Sequence, residues 1–272
     1  MTTSTTESMP CSAFTALDGG SYRPSLLTRG PWHPDHQHAG PPIALMCRAI
    51  EHAALKLGLT HLSRLTANLL RPVPIRDFAI EVITHYVGRN SGHFSARLHV
   101  DDKEIANVTA LAQRENDMEL PEGLPGHPLP RAARGPDDST SAIFPFGKNQ
   151  VGYADLVDNR IARGVFCQGP CAIWFRLRHP LLENEEPSGY QRVAVAADSG
   201  NGISTILDFA RYSFVNLDLT INLLRKPAGE WICLDAQTYL GPNGCGLAES
   251  LLFDVHGLIG RATQSLAIRA RE

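Results

Sequence analysis

The chain has 272 residues, 43% of them hydrophobic and 19% charged, with a formal net charge of -3. That is apolar material for one large core or two small ones, with no basic excess to track nucleic acid. No run approaches the roughly 18 uninterrupted apolar residues of a membrane helix, and the opening MTTSTTESMPCS has neither the basic start nor the apolar segment of a secretory signal. Six cysteines (Cys11, Cys47, Cys167, Cys171, Cys233 and Cys245) lie scattered without a CxxC pair, which predicts reduced thiols, no zinc set and a cytoplasmic location.

In chain order, the first element is a helix in AGPPIALMCRAIEHAALKLG. It opens with prolines suited to a first turn and ends at Gly58. Met46, Ile50, Ala53 and Leu57 form its expected apolar stripe. Four strands follow in RLTANLLRPV, FAIEVITHYVG, GHFSARLHV and EIANVTALAQR, joined by short turns in the manner of an antiparallel meander. LPEGLPGHPLPRAARGPDDST, inside 115–148, then reads as a surface linker. A strand around Trp174 runs into RLRHP. Its Arg176 and Arg178 share one face of an edge-like strand, where solvated charge is the default over a phosphate contact. A shorter helix near SGYQRVAVAAD runs into SGNG. Four more strands are FVNLDLTINLLR, EWICLDAQTYL, GLAESLLFDV and LIGRATQSLAIR. GPNGCG lies between two of them, so its glycines are hairpin chemistry rather than a phosphate cradle, which would open a helix.

The two series repeat. LTANLLR at 65–71 and LTINLLR at 219–225 differ at one residue and lie 154 positions apart. The same offset carries IANVT at 105–109 onto IGRAT at 259–263, so 38 positions separate Arg71 from Thr109 and Arg225 from Thr263 alike. Each half is one central helix followed by four antiparallel strands, and a sheet curled around one helix is the hotdog fold. The expected architecture is an α+β double hotdog, two tandem repeats forming one continuous curved sheet around two helices. Its divisions are 1–114 for the N-terminal hotdog, 115–148 for the linker and 149–272 for the C-terminal hotdog.

RGPWHPDHQHAGPPIALMCRAIE, ADSGNG, FVNLDLTINLLRKPAGEW and GLIGRATQSLAIR, in that order, resemble the TesB-type, double-hotdog acyl-CoA thioesterases. The resemblance covers both halves. It implies hydrolysis of an acyl-CoA to a free acid and coenzyme A, with no cofactor, metal or covalent acyl-enzyme. It also implies a catalytic Asp in the second helix, a Thr on the next strand and a Gln on the last strand. Asp198 and Gln264 match the first and last; the family's Thr falls on Asn216, a departure, with Thr220 the nearest substitute hydroxyl.

On this reading Asp198 is a base whose pKa partial burial raises, and Asn216 and Gln264 orient the attacking water. The turn His38-Ala39-Gly40 at the first helix supplies the oxyanion donor. At constant offset Asp198 faces Ala44 and Gln264 faces Ala110, so the polar groups stand in one copy only. The plainer alternatives are a helix-end turn for Asp198, a solvent-facing strand position for Gln264, and a wet strand face shared by Asn216, Asp218, Thr220 and Asn222 opposite a buried face of Val215, Leu217, Leu219, Ile221 and Leu223. His33, His36 and His38 in HPDHQH read as a loop at the site mouth, and Trp32 and Trp231 as core or pocket wall. The expected partners are acyl-CoA and further copies of the chain in a homo-oligomer, with neither nucleic acid nor membrane. Two rivals stay open: a non-catalytic acyl-CoA-binding or assembly double hotdog, and, lower, a hotdog hydratase or dehydratase. The latter group uses an Asp–His pair, and no histidine closely follows Asp198.

Overall fold

A computed structural model describes residues 9–143 and 150–271. Among them the strands are β1 (Phe14–Ala16), β2 (Ser21–Pro24), β3 (His61–Leu69), β4 (Phe78–Val87), β5 (Ser91–Val100), β6 (Lys103–Gln113), β7 (Thr140–Ala142), β8 (Val157–Arg163), β9 (Cys171–Leu177), β10 (Tyr212–Asn216), β11 (Asp218–Leu223), β12 (Ile232–Leu240), β13 (Cys245–Asp254) and β14 (Gly257–Ala270). The helices are α1 (Gly40–Leu55), α2 (Tyr153–Leu156), α3 (Gly189–Ala197) and α4 (Gly200–Ser204). All 14 strands join one sheet in the order β1-β2-β4-β5-β6-β3-β11-β14-β13-β12-β9-β8-β7, with β10 pairing β14. No described helix is long and apolar enough to cross a membrane.

The order is a palindrome about the β3–β11 seam. Thr66 pairs with Thr220 there, and their hydroxyls meet at 3.2 Å. The two copies of LTxNLLR are therefore antiparallel neighbours on a local two-fold axis. Strands β4, β5 and β6 start 154 positions before β12, β13 and β14, so the register read from seven residues holds across the meander. GPNGCG closes the β12–β13 hairpin as its composition predicts.

Several expectations need correction. Short strands precede each helix, with β2 joining β4 and β9 joining β12, so each copy is wider than a helix and four strands. Strand β9 is not an edge: β8 and β12 flank it. Arg176 and Arg178 are paired with Asp158 at 3.0 and 3.2 Å. The guanidinium groups of Arg160 and Arg176 both lie over the Trp231 ring, 4.7 and 4.8 Å from its centre. Helix α1 ends before Leu57, which is 41% exposed, and Ala53 is only partly buried. Its buried residues run from Gly40 through Cys47 and on to Ile50, Glu51 and Ala54, because α3 covers one flank and the sheet another.

The helices do not keep the strand offset. Gly189 to Ser204 is as long as the 16 residues of α1, but starts 149 positions after it. Asp198 therefore corresponds to Ala49 rather than Ala44. The residue in the first copy is an alanine either way.

Candidate active site

Asp198 caps the C-terminal end of α3 with its side chain 4% exposed. Its Oδ2 accepts the Gly40 backbone N–H at 2.8 Å and lies 2.8 Å from His38 Nδ1. Its Oδ1 accepts from Asn216 Nδ2 at 2.5 Å. The contact with α1 depends on glycine: a Cβ at position 40 would sit 2.5 Å from the Val195 carbonyl oxygen. Only without a side chain does the N-terminus of α1 come close enough to aim an N–H at a carboxylate on α3.

Burial pushes the Asp198 carboxyl up, but the charge of His38, the hydrogen bonds from His38 and Asn216, and the Gly40 N–H outweigh it. The group stays below the ordinary carboxylate range, which corrects the expectation of a raised value. Three donors on a buried carboxylate favour its charged form. With Asp198 ionised, the short contact assigns the proton to His38 Nδ1. The His38 ring stacks on Tyr153 at 3.7 Å, and the Tyr153 hydroxyl donates to the Val195 carbonyl oxygen at 2.9 Å and lies 3.0 Å from Ser199 Oγ.

A β-bulge brings Asn216 inward. Asn216 pairs with Leu266 and Thr220 with Thr263, so β10–β11 carries one more residue than its partner between those points. The extra residue is Leu217, 51% exposed. Beyond it the alternation changes phase. Phe214 and Asn216 fall on the same side as Leu219, Ile221 and Leu223, and Asn216 reaches the buried carboxylate. The expected wet face from Asn216 to Asn222, and Leu217 on the buried face, both assumed a strand without this bulge.

Gln264 is 2% exposed and points inward from β14. Its Nε2 donates to the Asp198 carbonyl oxygen at 3.1 Å, and its Oε1 accepts from the Asn201 N–H at 2.9 Å. In a continuous helix those two backbone groups would bond to neighbours four residues away. The Gln264 amide inserts between them instead, and the chain divides there into α3 and α4. A Cβ at Gly200 would lie 3.1 Å from Gln264 Oε1 and 2.8 Å from Ser250 Oγ, so a side chain there would crowd the inserted amide. Opposite the unbroken α1 the equivalent strand residue is Ala110.

A cavity of about 300 Å³ opens onto Asp198 and Asn216. Trp32, Phe209, Phe214 and Val215 make an apolar wall, and His36, His38 and Ala39 contribute from the loop before α1. Trp32 stacks on Phe209 with ring centres 4.6 Å apart. Gln264 lies behind Asp198, outside the cavity lining. Thr220 is at the β3–β11 seam with its hydroxyl on Thr66, also outside the lining. The Gly40 N–H is spent on Asp198. Tyr153 was not among the residues singled out from the sequence. His38 and Asp198 lie in different halves, so although no histidine closely follows Asp198 in the chain, one from the other half reaches its side chain.

The acyl-CoA thioesterase N-terminal domain model matches residues 28–113, and the acyl-CoA thioesterase C-terminal domain model matches residues 121–268. No curated protein sequence matches. Among solved structures, a hot dog fold protein of unknown function from Alicyclobacillus acidocaldarius superposes with a TM-score of 0.72 at 16% identity, covering 96% of this chain and 97% of that one. The acyl-CoA thioesterase II TesB2 of Mycobacterium marinum gives 0.62 at 17% identity, covering 95% and 96%. The tesB protein of Mycobacterium avium subs paratuberculosis gives 0.64 at 15%, covering 94% and 95%. At these identities the structures establish the double-hotdog fold, and the two domain models establish the family.

Proposed function

The chain belongs to the acyl-CoA thioesterase family and is a thioester hydrolase; from that premise we propose that it hydrolyses an acyl-CoA by direct attack of a water held at Asp198 and Asn216. The observation that carries the proposal is the buried, ionised Asp198 opening onto an apolar-walled cavity. The acyl chain lies along Trp32, Phe209 and Phe214, with the thioester carbon over the carboxylate. Water bonds to the acyl carbon, its proton passes to Asp198, the carbon–sulfur bond breaks to leave the free acid, and the departing thiolate takes that proton from Asp198 to become coenzyme A, restoring the carboxylate.

A depressed pKa makes Asp198 a weak base, so rate must come from placing the water rather than from basicity. Asn216 fixes the orientation of Oδ1 from the cavity wall. The positive end of α1 and the His38 ring favour the negative charge that develops on the thioester oxygen. Gln264 acts through the backbone, holding the helix break that presents Asp198. Family membership, rather than a missing histidine, sets the hydratase reading aside.

Thiol release from acyl-CoAs of graded chain length tests this with the wild type, Asp198→Asn and Gln264→Ala. Asp198→Asn is expected to lose about 10³-fold in kcat, and because its amide turns a donor toward one of the three donors around it, circular dichroism at the assay temperature checks that the variant is folded. Activity surviving both substitutions would overturn the site. Absence of turnover with acyl-CoA still bound would establish the non-catalytic binding protein instead. The expected homo-oligomer is part of the same proposal and is read by light scattering after size exclusion.

A further inference from the structure

The repeat carries an arginine at the end of each LTxNLLR copy, and the fold treats the two differently. In the second copy Arg225 is neutralised: Nη1 and Nη2 contact Asp254 Oδ2 and Oδ1 at 2.5 and 2.6 Å, and Nη2 also donates to the Gly257 carbonyl oxygen. Asp254 is fully buried and stands at the end of β13. The matching end of β5, 154 positions earlier, is Val100. Arg71 therefore lacks the acid that its counterpart has.

Nearby acids do not replace it. Asp101 pairs with Arg76 at 2.8 Å, and Asp77 with Arg23 at 2.8 Å. Among the described residues the Arg71 guanidinium has no ion pair, side-chain hydrogen bond or aromatic ring. It is exposed, and among the described residues it is the one arginine or lysine in the lining of the active-site cavity. The acid in that lining, Asp198, is enclosed by its own three donors. Arg176 and Arg178, the other arginines considered for phosphate, are spent on Asp158.

An unpaired guanidinium at the mouth of an apolar cavity is placed for an anion that stays in water while an attached chain goes inside. We propose that Arg71 binds a phosphate of the nucleotide part of the substrate, and that loss of the paired acid at Val100 frees it to do so. This rests on the acyl-CoA reading above. A planar fork of N–H donors suits a phosphate oxygen pair. The second copy shows the default state of the same arginine as a structural clamp, so the difference between copies lies in the acid.

The test pairs a full acyl-CoA with the N-acetylcysteamine thioester of the same acid, which has no phosphate, and uses wild type, Arg71→Ala and Arg71→Lys. Arg71→Ala is expected to raise KM for the acyl-CoA about tenfold with kcat unchanged, and to leave kcat/KM for the truncated thioester where it was. Arg71→Lys should recover part of the loss. The thioester of 3′-dephospho-CoA separates the two phosphate positions: a penalty that persists with it assigns the diphosphate, and one that vanishes assigns the 3′-phosphate. Equal penalties on the full and truncated substrates, or none on either, would overturn the inference. Calorimetric titration with coenzyme A alone reads the same contact without turnover. A wild type that binds coenzyme A tenfold more tightly than Arg71→Ala but hydrolyses nothing would sink the hydrolase mechanism and leave the Arg71 contact standing; equal binding would sink the contact.

Discussion

His38 Nδ1 lies 2.8 Å from Asp198 Oδ2, joining the loop before α1 to the end of α3, so the carboxylate of one hotdog is set by a ring from the other. The Gly40 N–H reaches the same oxygen. The polar centre therefore forms only when both halves are folded against each other.

Removing that ring should move the Asp198 titration in a known direction. Burial raises the carboxyl, and the His38 charge is the largest influence holding it below 3.8. In His38→Ala both contributions of that ring, its charge and its hydrogen bond, are lost, and the pKa rises. The acid limb of kcat/KM due to Asp198 is expected to shift upward in the variant relative to the wild type, with kcat reduced about 10–100-fold at neutral pH. A pH–rate profile over the range where circular dichroism shows an intact fold checks this; coincident acid limbs would remove His38 from the role.

Asn216 occupies the position where the resemblance places a threonine, and its Nδ2 donates to Asp198 Oδ1 at 2.5 Å. A threonine hydroxyl is also a donor on a short side chain, so Asn216→Thr should keep kcat within about tenfold, while Asn216→Ala, which leaves Oδ1 short of a donor, should lose about 10². The ratio of the two rates is the measurement. Equal losses would mean that the donor at this position does not matter.

The sequence made the strand framework legible because strand register is strict: each residue faces its partners, and one seven-residue match at a constant offset predicts the first residues of β12, β13 and β14 from those of β4, β5 and β6. What it could not show were the places where the period changes. Leu217 adds one residue to β10–β11 and reverses the phase on either side, so alternation put Asn216 on the wrong face. The second helix starts five residues earlier than the strand offset implies, which moved the counterpart of Asp198 from Ala44 to Ala49. Gln264 was located by resemblance, but its insertion into the helix is a contact across 63 to 66 residues that no local pattern encodes. His38–Asp198 and the Tyr153 stack are contacts between the halves for the same reason.

The Arg225–Asp254 clamp gives a stability prediction independent of catalysis. Burial raises the Asp254 carboxyl, but hydrogen bonds from Arg225 and from the Ala228 and His256 N–H groups bring it below 3.8. A depressed carboxylate adds stability that is present above its unfolded value and is lost as pH falls through its folded one. Asp254→Ala strands the Arg225 charge and two backbone donors, and is expected to cost about 3–5 kcal/mol at pH 7. Urea unfolding at pH 7 and near pH 3 measures both effects: the gap between variant and wild type should narrow at the lower pH, below the carboxyl's unfolded value, where the unfolded chain takes up a proton that the folded one still excludes. A gap of the same size at both values would show that the clamp works through packing rather than charge. Arg71, with no such acid, supplies the control, because Arg71→Ala should leave the unfolding free energy within about 0.5 kcal/mol of the wild type.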